Sequence, residues 1–299
     1  MCSIVEKSTR LTQTIWTELA PKIKYVLTDC DGVIWHSKER VPGASIVLEK
    51  LRDRGIQLGF VTNNSGTSRA ELLEKFSALK IKANPEEIFC VNNLTAKYLV
   101  GKGVTGKLYM IGHKALYDEL QAVGLSCNEP GPDPVDDYYQ SWSGLHLEET
   151  VQAVVVGFDN HFSLAKVCRA ASYLEDPKCL FVATDADSRI AAPKCPHLVL
   201  PCTGSIIAAV QAPTGRTPEL IGKPSTLLAD MIRTVYPGLS GQNTLVIGDN
   251  LETDIEFGRR SGFTTLLVET GVHKRHHVRR SEAPSFYTPS IADLAEFMR

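Results

Sequence analysis

The sequence predicts an α/β protein built on a doubly wound parallel sheet, with a second α/β domain inserted into it. Three observations carry this expectation. Near-continuous apolar runs alternate with helix-like segments, the pattern of parallel strands covered on both faces. The runs end in polar residues, which in such sheets gather outside the carboxyl ends of the strands. Between two of those ends, Thr62 and Lys223, residues 63–222 intervene, where one strand-helix step needs roughly 30.

The first strand, residues 24–30, ends in YVLTDC, and PGASIVLEKLRDRG follows as a helix closed by Gly55. IQLGFVTNNS is a second apolar strand ending in polar residues, and TSRAELLEKFSALK a helix with Thr67 as its N-cap. KLYMIG (107–112), VQAVVVGFD (151–159), CLFVATD (179–185), ELIG (219–222), TLVIGD (244–249) and TTLLVET (264–270) supply further strands. LAKVCRAASYLED, IIAAVQA and STLLADMIRTVY read as helices, with Ser205 the N-cap of the second. An inserted domain of about 100 residues accounts for the long interval. The expected boundaries are 98–203 for the insertion and 1–97 with 204–299 for the core.

The length of 299 residues suits two domains of ordinary size. Hydrophobic residues at 43% and charged ones at 22% provide a core and exclude disorder. A formal net charge of -2 offers no concentrated basic surface for nucleic acid or an anionic membrane. The one basic run, HKRHHVRR at 273–280, is expected as a solvated loop, because no Cys or carboxylate joins its histidines to make a metal site. Eight cysteines without a CxxC pair fit reduced thiols. The opening MCSIVEKSTRLTQTIW lacks the continuous apolar stretch of a signal peptide and no run reaches membrane-spanning length, so a cytoplasmic protein is expected.

The strand ends hold the candidate chemistry. Asp29 and Asp31 follow an apolar run directly, and burying carboxylates without a positive partner is costly. Thr62, Asn63 and Asn64 end the second strand; Lys223 follows ELIG; Asp249, Asn250 and Asp254 follow TLVIG. A second Asp-x-Asp, Asp185 with Asp187, ends CLFVATD but lacks a following glycine. It is expected to be a loop of the insertion.

DCDGVIW (29–35), VTNNS (61–65), GKPS (222–225) and GDNLETD (248–254) together resemble the four ordered motifs of the haloacid dehalogenase superfamily. The resemblance implies a Rossmann-like core and a phosphatase using Mg2+ and a phospho-aspartyl intermediate. Asp29 would be the nucleophile and Asp31 the acid and base. Asp29, the backbone carbonyl of Asp31, and Asp249 would hold magnesium. Thr62, Asn63, Asn64 and Lys223 would bind the phosphate, with Asp254 and Asn250 behind them orienting Lys223 or a metal-bound water.

VPGA, GFVTNNS, VVVGFDNHFS, CTGS, IGKPS and GDNLETDI are similar to the phosphoglycolate, pyridoxal phosphate and 4-nitrophenyl phosphatases, whose large cap of the C2 type lies between the second and third motifs. A cap implies a small phosphorylated metabolite as substrate, and by analogy a homodimer paired through the caps. Asp187, Arg189 and His197 on the loop 184–197 are candidates for selecting it. DSRI leans to phosphoglycolate and VATD to pyridoxal phosphate. A phosphomutase and a non-catalytic phosphate-binding module are the alternatives, the second disfavoured by the Asp29/Asp31 pair.

Overall fold

The computed structural model describes residues 8–133, 142, 145–190, 197–279 and 283–298. Expectations at Cys2, Cys195, Arg280 and part of the loop 184–197 lie outside the described residues. The chain divides into two compact units: Met1–Thr62, Ala70–Phe89 and Lys223–Arg299 form the first, Asn63–Arg69 and Cys90–Gly222 the second.

In the first unit a seven-stranded sheet runs in the order Thr9–Arg10, Phe286–Thr288, Thr264–Val268, Thr244–Gly248, Tyr25–Thr28, Gln57–Thr62, Ile88–Cys90. From Thr9–Arg10 through Gln57–Thr62 every pairing is parallel. The strand Thr244–Gly248 is buried along its whole length, and Gln57–Thr62 after its first residue, as apolar runs sandwiched between helices should be. The helix Ala44–Asp53 buries Ala44, Val47, Leu48 and Leu51, a stripe at the spacing of one helical face. It ends where the sequence places the stop, with Gly55 at a φ of 74°.

The second unit has its own four-stranded parallel sheet, in the order Glu219–Leu220, Leu180–Ala183, Val151–Val156, Lys107–Ile111. Its core joins Ile111, Val154, Val156 and Phe181 of the strands to Ala170, Leu174, Ile206 and Val210 of two helices. Lys166 lies on the buried face of the helix Leu164–Leu174. Its ammonium is satisfied by Asp159 at 2.6 Å and the Gly131 carbonyl at 2.6 Å. No helix among the described residues is long and apolar enough to cross a membrane.

Three local expectations are corrected. ELIG, expected within the core, pairs through Glu219–Leu220 with Leu180–Ala183 of the second sheet. Thr67 is not the N-cap of its helix, which begins at Arg69; its hydroxyl instead donates to Asn64 Oδ1 at 3.4 Å in a local turn. Ser205 lies inside the helix Thr203–Thr214 rather than capping it. The earlier start is held by Thr203, whose hydroxyl donates to the buried Asp185 at 3.0 Å.

Candidate active site

The strand Tyr25–Thr28 delivers Asp29 to the carboxyl edge of the first unit's sheet, where its amide donates to the Ile247 carbonyl of the neighbouring strand at 2.9 Å. Lys223 Nζ sits 2.5 Å from Asp29 Oδ1, 2.7 Å from Asp254 Oδ1 and 3.0 Å from the Val61 carbonyl. That lysine is 3% exposed, so its charge depends on buried partners, these among them, rather than on water. The other oxygen of Asp254 accepts from the Asp249 and Asn250 amides at 3.2 and 3.0 Å. Asp254 thus ties Lys223 to the loop after the strand Thr244–Gly248.

Asp249 is fixed from the opposite side, its Oδ2 accepting from the Val272 amide at 2.6 Å. The approach is close enough to demand glycine at two places. A Cβ on Gly271 would lie 1.8 Å from Asp249 Oδ2; one on Gly32, whose φ is +88°, would lie 2.5 Å from it. Asn250 caps the turn that follows, its side-chain oxygen accepting from the Glu252 amide at 2.9 Å.

Oxygens of Asp29, Asp249 and Asp254 all lie within 4.8 Å of one another. Burial, with Asp254 and Asp249 adding to it against the pull of Lys223, raises the Asp29 carboxyl well above the usual range. Burial and then Asp254 push Asp249 up to about 7. Burial alone would lower Lys223, but Asp254 and Asp29 more than offset it and raise the lysine. Three acids gathered around one ammonium leave a surplus of buried negative charge, and a hard divalent cation with oxygen ligands is the group that relieves it. The donor set fits magnesium.

Asp31 lies two residues beyond Asp29, with its side chain 45% exposed. Its Oδ1 accepts from Trp35 Nε1 at 2.8 Å and faces Lys75 Nζ at 3.4 Å. Thr62 is buried at the end of its strand in the first unit. Asn63 and Asn64 fall in the second unit, where Asn63 Nδ2 donates to Asp187 Oδ1 at 3.3 Å and Asn64 Oδ1 accepts from the Gly66 amide at 3.0 Å. Arg189 begins a short antiparallel pairing with Leu200–Pro201, and both Arg189 and His197 are exposed. Of the candidates, the structure therefore brings Asp29, Lys223, Asp249 and Asp254 together.

Sequence reasoning missed the Gly271–Val272 turn, Trp35 and Lys75. Trp35 stands inside DCDGVIW and could have been noticed; a lysine on a helix carries no such signal. It also missed a buried network behind the motif VTNNS. There Asn92 Nδ2 donates to the Ser65 carbonyl at 2.9 Å, and the Arg69 amide and Asn93 both donate to Glu119 at 2.8 Å. In the basic run Arg275, His276 and His277 are exposed, while His273 is half-buried and its Nδ1 serves as acceptor for the Leu251 amide at 3.1 Å.

Known proteins carry the same framework. A family model described as haloacid dehalogenase-like hydrolase matches residues 26–126, and a second of HAD-hydrolase-like type matches residues 220–294. Glycerol-3-phosphate phosphatase of Homo sapiens is 38% identical over 295 residues, covering 92% of this chain and 91% of the relative. Chronophin of Bos taurus is 37% identical over 301 residues, covering 96% and 97%. Among solved structures, p-nitrophenyl phosphatase from Archaeoglobus fulgidus matches with a TM-score of 0.79 at 26% identity, covering 92% of this chain and 99% of that one. A 4-nitrophenylphosphatase from Thermotoga maritima matches with the same score and identity, covering 94% and 99%. With these family models and relatives aligned over nearly the whole chain, and with Asp29, Lys223, Asp249 and Asp254 drawn together from three of the four motifs, the chain belongs to the haloacid dehalogenase-like hydrolases.

Proposed function

We propose that this chain is a magnesium-dependent phosphatase that hydrolyses a small phosphomonoester through a phosphorylated Asp29. The observation that carries the reading is the buried cluster in which Lys223 bridges Asp29 and Asp254 while Asp249 stands within ligand reach. Asp29, Asp249 and the backbone of Asp31 would hold the ion, with Asp254 beside them. The cation, when bound, neutralises phosphate charge and draws these carboxylates into their ionised form.

Asp29 attacks phosphorus, and the bond to the leaving oxygen breaks with its electron pair on that oxygen. Asp31 gives its proton there, releasing the alcohol. The Asp31 carboxylate then takes a proton from the water that attacks the acyl phosphate, which frees inorganic phosphate and restores both acids. Lys223 holds Asp29 in place and offsets phosphoryl charge throughout. Thr62 and Asn63 are proposed phosphate contacts, and Asn64 an additional one.

The inserted unit is proposed as the cap, with Asp187, Arg189 and His197 selecting the substrate. A short alkyl phosphate is the class we favour, with phosphoglycolate first. The human relative is named for glycerol 3-phosphate, another short alkyl phosphate. A cytoplasmic location is supported by the six described cysteines, all of them free.

The test is phosphate release with magnesium from phosphoglycolate, glycerol 3-phosphate, pyridoxal 5′-phosphate and 4-nitrophenyl phosphate. Release is expected with the parent chain and absent with Asp29→Asn, which should stay folded. Turnover by the variant at the parent rate would remove Asp29 as nucleophile.

A further inference from the structure

The turn after Asp29 folds a tryptophan back onto the acid two residues away. The Gly32 amide donates to the Trp35 carbonyl at 2.8 Å and the Trp35 amide to the Cys30 carbonyl at 3.2 Å, so residues 30–35 close a tight loop. Inside it the Trp35 indole is fully buried and cannot wander. The Phe76 ring meets it edge-on at 4.8 Å, and Phe60 backs Phe76 at 4.5 Å. The indole N–H is thereby aimed at Asp31 Oδ1, 2.8 Å away.

Lys75, one residue before Phe76 on the helix Arg69–Ala78, completes the arrangement. Its ammonium lies 4.2 Å from the centre of the Trp35 ring and 3.4 Å from the same Asp31 Oδ1. A cation over an indole face is attracted by the ring quadrupole, so ring and ammonium hold each other while both address one oxygen. No described residue bonds Asp31 Oδ2.

We propose that Trp35 and Lys75 are positioning residues that reserve Oδ2 of Asp31 for the transferred proton. With the acceptor sites of Oδ1 taken by two N–H donors, the acidic hydrogen has only Oδ2 to occupy. When the phosphorus–oxygen bond of the substrate breaks and its electron pair stays on the leaving oxygen, that hydrogen passes from Oδ2 to form the alcohol. The charge left on Asp31 is met by the indole N–H and the ammonium already in place. This inference rests on the phosphatase reading and adds residues to its acid step.

Leaving groups separate this role from a structural one. An alkoxide needs its proton, whereas 4-nitrophenolate departs without one. In Lys75→Met and Trp35→Phe, kcat/KM for an alkyl phosphate such as glycerol 3-phosphate should fall about a hundredfold. The value for 4-nitrophenyl phosphate should fall less than about threefold, and Lys75→Arg should restore much of the alkyl activity. Should Trp35→Phe fail to fold, Lys75, with its side chain 26% exposed, decides alone. Equal losses on both substrates, or losses on neither, overturn the inference. Release from neither substrate by the parent chain instead overturns the phosphatase reading and this inference with it, so the two failures are distinct.

Discussion

At the scale of single residues, the candidate site is a problem of surplus negative charge solved twice, once by Lys223 and once by the ion its neighbours fit. The protonation of Asp29 and Asp249 gives a checkable consequence. Both carboxyls are raised by burial in the folded chain, Asp249 to about 7, whereas in the unfolded chain they titrate near 4. The metal-free folded protein therefore holds more protons than the unfolded one between about pH 4 and about pH 7, so its stability falls as pH rises across that window. Magnesium must displace those protons, and its apparent affinity should rise in the same direction. Calorimetric titration at about pH 5.5 and about pH 7.5 should show tighter binding at the higher pH and proton release at the lower; pH-independent affinity would contradict the charge balance described here. Asp29 and Asp249 were legible because each closes an apolar strand, where an ionisable group has no structural excuse; Lys223 was legible only from the motif GKPS. Lys75 was not, since a lysine on a helix reads as a solvated charge until the fold lays it over Trp35.

At the scale of elements, the turns set the site as tightly as the strands do. The Gly271–Val272 turn presses its backbone against Asp249. Gly271→Ala would force that carboxylate aside, because a methyl group 1.8 Å from Oδ2 cannot be accommodated. The magnesium concentration for half-maximal activity should rise at least about tenfold, with a stability loss of about 1–3 kcal/mol; unchanged magnesium dependence would show that Asp249 does not bind the ion. Strand existence was readable from composition, but partners were not. Glu219–Leu220 is two residues long, and only the non-local pairing with Leu180–Ala183 assigns it to a sheet. The outer strands Thr9–Arg10 and Phe286–Thr288 escaped notice because so few residues carry no periodicity. Helix starts slipped at Thr67 and Ser205 for a related reason, since runs of Ser, Thr and Gly offer several capping positions and the tertiary partner of each hydroxyl decides among them.

At the scale of the whole molecule, the chain divides into two compact units, each with its own sheet, and their stabilities should respond separately to perturbation. Lys166 and Asp159 test this in the second unit, with side chains 5% and 2% exposed. Lys166→Met leaves a buried carboxylate without its cation and should cost about 3–5 kcal/mol. Proteolysis should then begin within residues 90–222, while the first unit with magnesium keeps its resistance; uniform cleavage of both would contradict the separation. The doubly wound plan was legible from alternating strands and helices, and an insertion from the interval between Thr62 and Lys223. The central claim nevertheless rests on one atom pair, a phosphorus bonded to an oxygen of Asp29. Rapid acid quenching of the parent chain during turnover, followed by peptide mapping, tests it most directly. We expect one phosphoryl group on the peptide carrying Asp29, lost on alkaline treatment as an acyl phosphate should be. Label on another residue, or full single-turnover release of phosphate with no labelled peptide at any time, would contradict the account.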